Sequence, residues 1–133
     1  MGYRSEVAVR IEVPTCTTAK KLMERINNDY AKLEELFDDI VVVKVGDIEV
    51  IKLHASYVKW YKYFTDVSMF EQFLDDFEEE IDQREKDDDR MDFHNHNGAF
   101  HFVRIGEAYD DLEERCVGDL YDYLGVCRYV EWE

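Results

Sequence analysis

The stretch EVAVRIEV, residues 6–13, decides the fold class because its apolar residues fall at every second position. A period of two is typical of a β-strand that buries one face, and Pro14 ends the run. Beyond it, a threonine in residues 15–18 offers a helix cap. A helix is then expected near residues 18–37, because helical spacing separates its apolar residues Leu22, Ile26, Leu33 and Phe37.

The following stretches extend this pattern of strands and helices. Ile40–Val45 and Ile48–His54 are rich in β-branched residues and flank Gly46-Asp47, so they predict a hairpin. A second helix is expected near residues 67–85, with an apolar face formed by Phe70, Phe73, Leu74, Phe77 and Ile81. The last two predicted strands are Phe100–Ile105 and Leu124–Trp132, with a mixed acidic segment between them.

The predicted order is β-α-β-β-α-β-β, which fits a ferredoxin-like two-layer α+β sandwich with one added strand. Two helices would lie on one face of a mainly antiparallel sheet. With 133 residues, 46% of them apolar, the chain is long enough to form a single domain, residues 1–133, around a core. We expect neither a signal peptide nor a membrane span, since no stretch approaches the roughly 20 apolar residues that a span needs.

The net negative charge of the chain is confined to its second half. Residues 1–65 carry ten acidic and ten basic side chains, whereas residues 66–133 carry twenty-two acidic and six basic ones. The whole net charge of −16 therefore lies in residues 66–133. Such a surface repels phosphates, which excludes direct binding of nucleic acid and favours a cationic protein surface as the partner.

A row of acidic residues runs along the second predicted helix. At about 100° per residue its six members fall within roughly 80° of arc, and the row extends about 27 Å beside the apolar face. The row consists of Glu71, Asp75, Glu78, Asp82, Glu85 and Asp89, and a supporting set downstream includes Asp110, Asp111, Glu113 and Glu114. Two explanations are open: a solvated surface that keeps the protein soluble, or carboxylates that imitate the phosphates of a nucleic-acid strand. The carboxylates should reach water, so reversing Glu71, Asp75, Glu78 and Asp82 to Lys should leave the fold intact.

Aromatic residues crowd the segment from Tyr57 to Phe64. Part of this segment must enter the core, and core packing is one explanation for all of it. The other explanation is a binding surface, because exposed aromatic side chains are typical anchors of protein interfaces. On that explanation the anchors are Trp60, Tyr61 and Tyr63.

The histidine and cysteine residues are weaker candidates for a functional site than the acidic row and the aromatic segment. His94 and His96 beside Asp92, together with His101, could begin a zinc or manganese site. Because no second ligand cluster of matching chemistry is present, we expect this segment to be a polar loop without a tightly bound metal. The three cysteines have no metal-type spacing, so we expect buried, reduced thiols at residues 16, 116 and 127.

Three short stretches together resemble a group of small acidic proteins encoded by tailed bacteriophages. They are Met1–Val7; Val58–Tyr61, with Asp66-Val67 after it; and Phe102–Glu107, followed by Asp110–Glu113. The resemblance implies an accessory protein made in the bacterial cytoplasm, and it carries over no catalytic residue. Small acidic phage proteins often disable host defences, and some of them do so by imitating DNA.

These observations leave three functions in competition. The first is a non-catalytic inhibitor without a cofactor, whose acidic row occupies the nucleic-acid groove of a basic host protein in CRISPR defence, restriction or transcription. The second is a module that binds a small ligand or a protein through the aromatic residues 57–64. The third is a metal-dependent hydrolase at His94, His96 and His101. Salt dependence separates the first two functions, and metal analysis separates the third.

Overall fold

The structure, a computed structural model, describes residues 4–87, 96–108 and 110–118. Over these ranges the strands are β1 (Ser5–Glu12), β2 (Asp39–Val45), β3 (Ile48–Val58), β4 (Ala99–Gly106) and β5 (Leu112–Gly118). The helices are α1 (Ala19–Asp29), α2 (Leu33–Leu36) and α3 (Thr65–Asp87). The predicted α+β sandwich is confirmed, with one antiparallel sheet and a layer of helices.

The strand order in the sheet is β2-β3-β1-β4-β5, and each neighbouring pair is antiparallel. The predicted hairpin is formed by β2 and β3, in which Val45 pairs with Ile48 across a two-residue turn. Gly46 takes φ 61° at the first turn position, where a side chain would be strained. This order places β1 at the centre of the sheet and leaves β2 at one edge.

The first helical segment is shorter than predicted and is broken into two. Thr18 caps α1, since its Oγ accepts from Lys21 N at 3.2 Å, but the helix ends at Asp29. The chain turns there, and Asn27 Oδ1 accepts from Leu33 N at 2.9 Å to start α2. The apolar spacing continues through the break, because Leu33 and the residues after it still reach the core. The prediction of one continuous helix over 18–37 is therefore wrong.

The added strand also differs from the prediction. Residues 112–118, expected to belong to a mixed acidic segment, form β5 and pair with β4 from Ile105↔Leu112 to Ala99↔Gly118. Glu113 and Arg115 are charged but find partners of opposite sign on β4 and α3, which allows a charged strand at this position. The predicted strand Leu124–Trp132 lies outside the described residues.

Strand β1 is buried on both of its faces, so the expectation of a half-buried strand is wrong. Its apolar positions, among them Val9, face α3 as the period of two predicts. Its alternate positions are also buried, and they include two charged residues, Arg10 and Glu12. These two side chains form an ion pair with Nε to Oε2 at 3.2 Å, which offsets the cost of burying each charge alone.

Helix α3 packs its predicted apolar face on the sheet. The side chains of this face are fully buried: Phe70, Phe73, Leu74, Phe77 and Ile81. Phe73 and Phe77 stack with ring centroids 5.4 Å apart, and Phe77 also contacts Phe100 of β4. Because this stripe fixes the rotation of α3, it also fixes the direction in which each acid of the helix points.

Candidate partner-binding surface

The densest concentration of acid in the described residues lies on the second half of α3. From Asp75 to Glu85 the helix carries seven acidic residues and one basic residue. Five members of the predicted row, Glu71 to Glu85, belong to the described part of the chain, and Asp89 lies outside it. The buried stripe leaves two flanks and an outer side of α3 for these acids.

The first half of the row is paired within the protein. Glu71 Oε2 accepts from Trp60 Nε1 at 3.0 Å. Arg115 NH2 lies 3.1 Å from Asp75 Oδ1 and 2.9 Å from Glu78 Oε1, so it joins β5 to α3. Reversing these three acids would oppose Arg115 and remove the partner of Trp60. In contrast to the expectation from the sequence, we therefore expect reversal of Glu71, Asp75 and Glu78 to affect the fold.

Two later members of the row, Asp82 and Glu85, have exposed side chains. Asp82, Glu85 and the neighbouring Glu79 are exposed, and none of them forms an ion pair within the described part of the chain. We call Glu79, Asp82 and Glu85 the acidic patch. At 1.5 Å rise per residue it spans about 9 Å along the helix axis.

The flank of α3 that faces α1 is also acidic. Asp76 accepts from Tyr30 Oη at 2.7 Å and from Gln72 Nε2 at 2.8 Å, and these hydrogen bonds lower the pKa of the Asp76 carboxyl. Glu80 forms a two-armed ion pair with Arg25 of α1. A cleft of about 340 Å³ on this flank is lined by Tyr30, Asp76, Glu79, Glu80 and Gln83. Arg25 and Arg115 thus hold α3 from its two sides.

The downstream acidic set is largely engaged in the fold. Arg104 donates to Asp111 Oδ1 at 2.8 Å, to Glu113 Oε1 at 3.0 Å and to Ser5 Oγ at 3.0 Å. Lys62 Nζ adds a contact of 3.0 Å to Glu113 Oε2. Burial opposes ionisation of Glu113, but the hydrogen bonds from Arg104 and Lys62 outweigh it and lower the pKa of this carboxyl. Asp110 of the same set is exposed.

The stretches that carry the phage resemblance meet at one end of the sheet. Ser5 from the opening stretch and Asp111 from the last one both bind Arg104. Arg4 N donates to Glu107 Oε1 at 2.6 Å, which ties the start of β1 to the end of β4. This cluster stabilises that end of the sheet. Arg104 contributes to it by donating hydrogen bonds to Ser5, Asp111 and Glu113 of the same chain.

The predicted aromatic anchors divide between core and surface. Trp60 is buried and contacts Phe37, Phe70 and Phe102, so it is a core residue. Tyr63 is 79% exposed and stacks on Tyr61 with ring centroids 5.4 Å apart. Tyr61 and Tyr63 therefore form the surface part of the segment, together with the exposed Tyr57.

The histidines are held by separate carboxylates. His96 Nε2 lies 3.0 Å from Glu12 Oε1, and His101 Nε2 lies 2.5 Å from Glu114 Oε2; His94 falls outside the described residues. Glu114 is thus turned to the sheet face opposite α3, away from the acidic patch. The absence of a tightly bound metal at the histidines stays a prediction.

One group of possible metal ligands occurs in the part of the chain that the structure describes. The ligand atoms of His101, Glu114 and Cys116 lie within 4.8 Å of one another. Arg10 lies opposite His101 on the neighbouring strand, and its guanidinium is paired with Glu12. Cys116 is exposed, as is Cys16, so the predicted burial of these two thiols is wrong; Cys127 lies outside the described residues. Partial desolvation of the Cys116 sulfur and the nearby Glu114 raise the pKa of this thiol, which disfavours the thiolate that binds metal.

Comparison with known proteins gives no match, whether to a family model, to a curated protein or to a solved structure. Within the described ranges, no helix is both long and apolar enough to cross a membrane. The function therefore has to follow from the chemistry of the surface.

Proposed function

We propose that the chain is a non-catalytic inhibitor whose acidic patch binds a basic host protein in the groove where that protein binds nucleic acid. The observation that carries this proposal is the exposure of Glu79, Asp82 and Glu85, which have no ion pair among the described residues, on a helix of very high acid density. Carboxylates accept hydrogen bonds from Arg and Lys as phosphates do, so they can replace phosphates in such a groove.

The internal ion pairs of α3 support this function rather than compete with it. Like charges three or four residues apart each destabilise a helix by a few tenths of a kcal/mol. Arg25 and Arg115 offset that repulsion from the two flanks, while the acidic patch has no ion pair in the part of the chain that the structure describes. The helix can therefore present a fixed set of charges to a partner at little entropic cost.

The resemblance to acidic phage proteins supplies the setting of the proposal. The partner would be a defence protein of the host, such as a CRISPR or restriction component, or a transcription protein in the bacterial cytoplasm. The chain would need no cofactor and would not contact the nucleic acid itself.

Salt dependence of binding tests the proposal. The immobilised chain should retain a basic protein from bacterial lysate at about 50 mM salt and release most of it by about 200 mM, because ionic contacts are screened and bound counterions must be replaced. Mass spectrometry would identify the retained protein. Retention that is unchanged at high salt would contradict an electrostatic interface.

Salt-independent retention would favour the second candidate function, a binding module that uses aromatic side chains. The observation behind it is the stacking of the exposed Tyr63 on the half-buried Tyr61. Phe64 of the same segment also lines a cleft of about 550 Å³ between α2 and the start of α3, which has the size of a small-ligand site.

A further inference from the structure

Among the described residues, strand β2 forms an apolar edge of the sheet with no strand on its outer side. It is the terminal strand of the order β2-β3-β1-β4-β5. Val41, Val42 and Val45 are 48%, 44% and 41% exposed, respectively. Because consecutive residues of a strand point to opposite faces, Val41 and Val42 show that both faces of this edge are uncovered.

The edge lacks the usual protection against pairing with another strand. Natural edge strands are commonly blunted by proline, a bulge, a short length or several charges. The pairing of β2 with β3 runs without a shift from Asp39↔His54 to Val45↔Ile48, and the seven residues contain no proline. Asp39 and Lys44 are its only charged residues. A regular, seven-residue, β-branched edge of this kind favours the addition of a strand.

The charge distribution identifies a second copy of the chain as a compatible occupant. Residues 1–65, which include β2, are neutral, while the described acids of α3 that Arg115 contacts lie beside β5, at the opposite edge. With about 4.8 Å between strands, joining two sheets through β2 would leave the two β5 strands roughly 43 Å apart. That separation is several times the Debye length of about 8–10 Å, so the net charge opposes this mode of association only weakly.

We propose that β2 pairs antiparallel with β2 of a second copy to form a two-fold dimer with one continuous sheet. A two-fold axis normal to the sheet keeps each face continuous, so paired residues must point to the same face. Odd-numbered residues of one copy therefore pair with odd-numbered residues of the other, and even-numbered with even-numbered. Centring the pair on Val41 places Ile40 opposite Val42 and Lys44 opposite Asp38 of the other copy. Centring it on Val42 or Val43 instead leaves Lys44 opposite an apolar residue. The register centred on Val41 is therefore the one with two added charge pairs.

Sedimentation equilibrium of the full chain tests this dimer. The wild-type chain should show a concentration-dependent mass that approaches twice 15.9 kDa. Val41→Lys, which puts two lysines face to face at the axis, should raise the dissociation constant at least about tenfold. Leu112→Lys is the matched control, since Leu112 is 49% exposed on the edge strand at the other side of the sheet. A monomer at every concentration, or equal effects of the two variants, would overturn the proposal.

A charge exchange tests the register. Lys44→Asp and Asp38→Lys should each weaken the dimer, and the double variant should recover most of the wild-type affinity. Circular dichroism would check the fold, because Asp38 Oδ2 also accepts from Ser56 N at 3.1 Å. No recovery in a folded double variant would overturn the register centred on Val41. The dimer does not depend on the acidic patch. Most of its contacts would be backbone hydrogen bonds and apolar side chains, so added salt should weaken it far less than it weakens partner binding.

Discussion

Reversal of the acidic patch, in a Glu79→Lys, Asp82→Lys, Glu85→Lys variant, should reduce affinity for the retained host protein at least about a hundredfold. Each close charge pair at an interface contributes on the order of 1 kcal/mol or more, and reversal adds repulsion to the loss. The folded state should be little affected because the three side chains are exposed and form no ion pair with any residue that the structure describes. Calorimetric titration would measure the affinity, and urea unfolding the stability.

The matched control reverses three exposed acids in the neutral half of the chain: Glu24, Glu34 and Asp47. Both variants then carry the same net charge. Equal loss of affinity in the two variants would show that net charge alone governs association and would contradict a specific patch. No loss in either variant would direct attention to Tyr61 and Tyr63.

Replacement of Arg104 by Met should lower the free energy of unfolding by about 2–4 kcal/mol. The substitution removes the Arg104 cation from the half-buried carboxylates of Asp111 and Glu113, leaves Lys62 beside Glu113, and removes the link to Ser5. Urea unfolding at pH 7 would measure the effect. Lys86→Met, which removes one positive charge at an exposed position, should change stability by less than about 0.5 kcal/mol. Equal effects of the two variants would contradict a structural role for Arg104.

Much of this fold follows from sequence periodicity. The period of two located β1, and the buried stripe from Phe70 to Ile81 located α3 and fixed its rotation. Periodicity could not reveal the break after Asp29, because the apolar spacing continues across it into Leu33. Periodicity also missed β5, where Glu113 and Arg115 are stabilised by partners distant in sequence.

The candidate site was only partly predictable for the same reason. Helical spacing is enough to align Glu71 through Glu85 along one flank of α3. Spacing does not show which of these acids are neutralised, since Arg115 lies 37 residues beyond Glu78 on a strand that the sequence did not predict. The contact of His101 with Glu114 was likewise hidden, because it depends on the pairing of β4 with β5.

Competition between duplex DNA and the chain for the retained host protein tests the central claim most directly. If the acidic patch occupies a nucleic-acid groove, binding of the chain and of DNA must be mutually exclusive. Increasing duplex should displace the chain completely, and excess chain should abolish DNA binding in a gel-shift assay. A stable ternary complex that contains the host protein, the duplex and the chain would contradict the account.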